Sequence, residues 1–103
     1  MEAIVFITTS SYQEGEKIAK ILVEEKLVAC VNIIPNIESI YWWEDRVCEE
    51  KEVLLLAKTK SSLFSKIEQK VRELHSYEVP EIIMISIDKG SAPYLKWIRE
   101  TLK

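Results

Sequence analysis

Glycine is nearly absent from this 103-residue chain: Gly15 and Gly90 are the only two, and each stands alone. A loop that cradles phosphate on backbone N–H groups needs clustered glycines, so nucleotide-binding loops of that kind are excluded. Histidine occurs once, as His75. A Ser-His-Asp set would have to combine it with Asp45 or Asp88, and no nucleophile elbow places a serine beside it, so no enzyme activity is assigned. The two cysteines, Cys30 and Cys48, are 18 positions apart with no Cys-x-x-Cys, which excludes a disulfide scaffold and a zinc knuckle. Basic charge is short as well. The 14 Lys and Arg against 17 Asp and Glu leave a net charge of -3, whereas nucleic-acid-binding domains are usually basic. No apolar run approaches the ~18 residues of a membrane span, and the opening residues Met1 to Ile7 carry no basic segment, so a cytosolic chain that makes no use of a membrane is expected. Asn and Gln together number 4 against 15 Glu and 11 Lys, a bias associated with thermostable proteins.

What is present is the ordinary balance of a globular chain, with 48% hydrophobic and 30% charged residues. A single domain spanning 1–103 is expected, of a size that buries roughly 65% of its unfolded surface. Ala3 to Thr9 is a continuous apolar and β-branched run and reads as a first strand. Ser11 with Glu14 forms a capping box that opens a helix running to about Glu25, its stripe set by Ile18, Ile21 and Leu22. Leu27 to Ile34 reads as a strand, and after Pro35 it resumes from Ile37 to Trp43. Glu44-Asp45-Arg46 is expected as a three-residue hairpin loop, followed by a strand to Lys60 whose first half is charged and second half apolar. Ser61 or Ser62 is placed to cap a second helix with Ile67, Val71 and Leu74 on its inner stripe, ending near His75. Pro80 then biases the chain toward extension, and Ile82 to Ile87 is apolar on both faces. Ser91 and Pro93 open a short third helix.

This order is the ferredoxin-like βαββαβ arrangement of the α+β class, with strands one and three central and strands two and four at the edges. Both edge strands are apolar on both faces, and edges of that kind are normally covered. The third helix is available to cover one. The long hairpin carries Tyr41, Trp42 and Trp43, and such aromatics belong in an interface, so Trp42 and Trp43 are expected to anchor a closed oligomer.

The motifs Ala29-Cys30-Val31-Asn32-Ile33-Ile34-Pro35, Ser39-Ile40-Tyr41-Trp42-Trp43-Glu44, Glu52 to Thr59 and His75-Ser76-Tyr77-Glu78-Val79-Pro80-Glu81-Ile82 occur in the order and spacing of the CutA family of divalent-cation tolerance proteins, which the chain resembles over nearly its whole length. The resemblance implies a ferredoxin-like homotrimer linked to copper and other divalent metals, similar in architecture to PII signalling proteins. Ser76 stands where the family usually has Pro, and Asn36 and Asp45 stand where Gly is common. The Ser76 departure is expected to loosen the joint beside His75.

One chain offers too few soft ligands for a closed metal site, but threefold copies of His75, Cys48 or Cys30 would supply ligands suited to copper or another divalent metal. The competing readings are a small core residue for Cys30 and a helix C-terminal residue for His75. The family positions also point to an inter-subunit cleft lined by Lys58, Thr59, His75 and Tyr77, with Tyr41 or Trp43 nearby, suited to a metal or a small anion. Two functions therefore stand side by side. One is a cytosolic homotrimer for divalent-metal tolerance. The other is a PII-like regulatory or scaffold trimer that binds a small anionic ligand or a protein partner at its clefts.

Overall fold

The computed structural model describes all residues 1–103. Its elements are β1 (Glu2–Thr9), α1 (Tyr12–Glu24), β2 (Cys30–Trp43), β3 (Arg46–Lys60), a 3-10 turn (Ser61–Leu63), α2 (Phe64–Leu74), β4 (Ile82–Ser86) and α3 (Ala92–Thr101). The strands form one antiparallel sheet in the order β2-β3-β1-β4, which puts β1 and β3 in the centre as the ferredoxin-like pattern requires.

Alternation along the central strands builds the core. Val5 and Ile7 of β1 stand across from Ala57 and Leu55 of β3, and all four are buried against Ile18 and Leu22 of α1 and Ile67 and Val71 of α2. Gly15 permits this close approach, because a Cβ there would sit 3.0 Å from Thr9 Oγ1 and 3.3 Å from the Leu55 side chain. The alternate residues face the other way, where Thr8 and Glu52 at one end are buried but the apolar side chains are left with little cover. Ile4, Phe6, Leu54 and Leu56 are only half-buried, while Ile34, Ile83 and Ile85 are 40%, 52% and 48% exposed. One face of the sheet is therefore bare and apolar. The third helix does not cover it: Ile98 and Leu102 pack on Ala29 at the end of the sandwich, and Arg99 reaches Glu2 at 3.3 Å.

Several local expectations change. Leu27 to Ala29 is a connection rather than strand, entered through Lys26 at φ 57°. The hairpin turn has two residues, not three, since Trp43 pairs with Arg46, and Glu44 and Asp45 adopt φ 50° and 60°. That is the type I′ geometry whose twist matches the strands, reached here without glycine. Ser61 begins a 3-10 turn and donates its backbone N–H to Met1, and α2 has no side-chain cap. Ser91 flanks α3 but makes no capping bond. Between Ile34 and Ile37 a bulge interrupts the β2–β3 ladder, with Asn36 at φ 62°. Asn36 and Asp45 thus occupy left-handed backbone, which explains why glycine suits both positions. The hairpin carries the molecule to 44 × 26 × 22 Å, with a radius of gyration of 14.1 Å against the ~13 Å of a compact domain this long.

Candidate functional site

The segment between α2 and β4 is fixed by a joint around His75, whose side chain is fully enclosed. Tyr77 N–H lies 3.0 Å from His75 Nδ1 and can only donate, so Nδ1 is the acceptor. Nε2 then carries the hydrogen and donates to the Thr8 carbonyl at 2.7 Å. This sets one neutral tautomer. Glu14 locks the next residue by accepting from Ser76 N–H at 2.6 Å and from Ser76 Oγ at 3.0 Å. Ser11 Oγ does accept the Glu14 N–H as a cap, but the Glu14 carboxylate turns to Ser76 and Ser10 and not back to Ser11, so only half of the capping box forms. Burial works to raise the Glu14 carboxyl, and the hydrogen bonds from Ser76 and Ser10 outweigh it and leave it below its ordinary 4.5. The expected loosening at Ser76 is reversed. Its N–H, which proline lacks, is the tie that holds the joint.

Beyond the joint, Tyr77 crosses the bare sheet face and donates from its hydroxyl to Glu52 Oε2 at 2.7 Å. Burial and this bond push the Tyr77 phenol well up. The two residues form the inner end of a cleft of about 700 Å³ beneath the hairpin. Its walls follow from the ladder: Tyr41 pairs with Cys48, Trp43 with Arg46 and Ser39 with Glu50, so these side chains share one face. A hydrogen bond to Glu50, aided by burial, pushes the Tyr41 phenol up to about 12. Glu81 closes the near side, raised by burial and by the Glu52 charge. Glu78 adds a fourth carboxylate against Arg46, the single cation of the lining.

The structure therefore gathers Tyr41, Trp43, Cys48 and Tyr77 of the expected site, and leaves the others elsewhere. Trp42 projects from the opposite face of the hairpin at 73% exposure. Lys58 lies at the far end of β3 across from Cys30. Thr59 is buried, donating to the Leu27 carbonyl at 2.7 Å. Cys30 sits 3.7 Å from the Tyr94 hydroxyl, which burial and the thiol raise. His75 has both ring nitrogens engaged within the chain. Four glutamates against one arginine make the cleft of the single chain acidic. Glu50, Glu52 and Glu81 were not foreseen. The signal lay in parity, since Cys48, Glu50 and Glu52 alternate on the same face of one strand.

The model of the CutA1 divalent ion tolerance protein family matches residues 3–101. The chain belongs to the CutA family. A divalent-cation tolerance protein CutA from Thermus thermophilus is 49% identical over 100 residues, covering 97% of each chain. The chloroplastic Protein CutA 1 of Oryza sativa is 40% identical over 100 residues, which are 97% of this chain and 56% of the relative, so this chain spans about half of that protein. The structure of the periplasmic divalent cation tolerance protein CutA from Archaeoglobus fulgidus superposes with a TM-score of 0.96 at 42% identity, covering 100% of both chains. No helix of this CutA-family chain is long and apolar enough to cross a membrane.

Divalent cations implied by the family find an incomplete ligand set in one chain. No three His, Cys, Asp or Glu side chains converge to hold an ion, and Cys30 and Cys48 stand at opposite ends of the β2–β3 ribbon. A resident ion bound by one chain alone does not fit this arrangement.

Proposed function

We propose that this CutA-family chain works as a cytosolic homotrimer that contributes to divalent-cation tolerance, with copper as the ion it meets. The observation that supports assembly is the bare apolar face of the sheet, with Ile83 and Ile85 about half exposed. Faces of this kind are covered by partners. The two edges flanking it are different strands, β2 and β4, so where β2 of one copy meets β4 of the next the contact is heterologous, the kind from which rings are built when the rotation closes. The family resemblance supplies the number three. Copper is met at Cys48, a partly exposed thiol whose soft sulfur suits it, with further ligands coming from neighbouring chains. Two unpaired cysteines favour a reducing compartment, hence the cytosol.

Light scattering during gel filtration tests the assembly: three times the chain mass of 12.0 kDa is expected, and a monomer overturns it. Copper should lower the melting temperature of the wild type, and Cys48→Ala should blunt that response more than Cys30→Ala does. An unchanged response in the Cys48 variant removes the thiol from the account. A second reading, a PII-like regulatory or scaffold trimer, is favoured by the cleft at the polar end of the same face, which copies of the chain would wall in.

A further inference from the structure

Two neighbours stand at one atom of the enclosed joint. His75 Nδ1 accepts the Tyr77 N–H at 3.0 Å, and Glu14 Oε2 lies 3.7 Å from the same nitrogen. While Nδ1 carries no hydrogen the carboxylate has nothing to accept there, and its oxygens serve Ser76 and Ser10 instead. A second proton on the ring inverts this arrangement, because an imidazolium has two N–H donors and no acceptor. Nδ1–H and the Tyr77 N–H would then point at each other. Nε2 is indifferent, since it donates to the Thr8 carbonyl in both forms. The groups that face the ring are Glu14 of α1, the Thr8 carbonyl of β1 and the Tyr77 ring, whose centroid is 4.7 Å away, while Glu52 of β3 connects to it only through the Tyr77 hydroxyl. Of these, Glu14 is placed to accept a new hydrogen from Nδ1.

We propose that the joint is a proton-operated latch: when His75 takes up a second proton, Nδ1–H turns from Tyr77 to Glu14 Oε2 and the Tyr77 N–H is released. Glu14 Oε2 already accepts the Ser76 N–H at 2.6 Å, so the new bond draws on that tie as well. Both holds on the connection between α2 and β4 weaken together. The Tyr77 hydroxyl keeps its bond to Glu52, so the connection is freed at its backbone and tethered at its tip. Imidazoles ordinarily change charge between about pH 5 and pH 8. Glu14, held below 4.5, is still an anion in that range and available to receive the hydrogen. The latch belongs to the joint alone and is independent of the copper response assigned to Cys48.

Nitrogen chemical shifts and amide exchange of the full-length protein, followed by NMR from pH 7.5 to pH 5, test it. Hydrogen should appear on Nδ1 as the pH falls, and at the same midpoint the Tyr77 amide, corrected for the pH dependence of free-peptide exchange, should lose protection at least tenfold. The Ala29 amide, bonded to the Lys58 carbonyl at the far end of β3, should stay within twofold. A fall there as large as at Tyr77 is global loosening and overturns the proposal. Glu14→Gln still offers Ser76 an acceptor but places no anion beside Nδ1, and should cut the loss at Tyr77 to less than threefold. An unchanged loss in that variant overturns the latch, because the ring hydrogen then has another destination. So do separate midpoints for Nδ1 and Tyr77, a Tyr77 amide still protected once Nδ1 carries hydrogen, or an imidazole still neutral at pH 5. These wild-type readings decide the matter even if Glu14→Gln fails to fold.

Discussion

His75 Nε2 donates to the Thr8 carbonyl at 2.7 Å, joining the start of the α2–β4 connection to the end of the first strand across 67 positions of sequence. The bond lies inside the protein and its geometry assigns the tautomer. His75→Ala should therefore lower stability by ~1–3 kcal/mol, because it leaves a buried carbonyl and the Tyr77 N–H without partners. Urea denaturation measures the loss, and nitrogen chemical shifts should report hydrogen on Nε2 in the wild type. Copper binding equal to wild type is expected in the variant, since neither ring nitrogen is free.

Ser76→Pro removes the N–H that Glu14 accepts at 2.6 Å. A loss of ~1–2 kcal/mol is expected, with Ser76→Ala costing less because it keeps that bond and loses only the hydroxyl contact. The order of urea midpoints, wild type above Ala above Pro, checks this. Proline at least as stable as serine would show that the tie to Glu14 contributes nothing.

Two carboxylates give pH effects of opposite sign. Glu14 is depressed below 4.5, so it stabilises the fold above that pH and the contribution is lost as pH falls through the folded value. Glu81 is raised by burial and by Glu52, so its contribution is present below 4.5 and is lost as pH rises through its folded value. Thermal melts between pH 3 and pH 7 should show Glu14→Gln flattening the acid limb, and Glu81→Gln gaining most at pH 7.

Ile83→Glu, on the bare face, should shift the light-scattering mass toward the 12.0 kDa chain. Trp42→Ser should shift it less, because Trp42 stands on the other side of the hairpin. Equal effects would place Trp42 within the assembly contact as firmly as the sheet face.

Glu44→Asn should stabilise the hairpin by ~0.5–1 kcal/mol, since φ 50° suits asparagine better than glutamate. Melting curves of the two proteins, compared at equal chain concentration, provide the check.

The strand and helix order was legible because its signals are local: the apolar run of Ala3 to Thr9, the Ser11 cap, and the helical stripe of Ile67, Val71 and Leu74. The hairpin was legible as a hairpin, but not its two-residue turn, because Glu44-Asp45 lacks the Asn-Gly signature of that geometry. The site was half legible. Tyr41, Trp43 and Tyr77 attracted notice as aromatics, whereas Glu52 reads as one glutamate in a charged run until the fold lays Tyr77 over it. Lys58 and His75 were expected to meet only across a subunit boundary, and within one chain the antiparallel ladder keeps Lys58 at the far end of β3, across from Cys30. Glu14 looked like a capping residue, and its second partner, Ser76, is 62 positions away.

The bulge after Ile34 adds one residue to β2 without adding one to β3, since Ile34 faces Leu54 and Ile37 faces Glu52. Beyond it the numbering of the two faces is offset by one. Cys30, Asn32 and Ile34 share the uncovered face through even numbers, while Ser39, Tyr41 and Trp43 reach the same face through odd ones. Deleting Asn36 would remove the bulge and leave Ile37 across from Glu52, so Tyr41 and Trp43 would stay on the side of the glutamates. The extra residue therefore sets the bend and twist with which the arm leaves the sheet, and not which of its side chains face the glutamates.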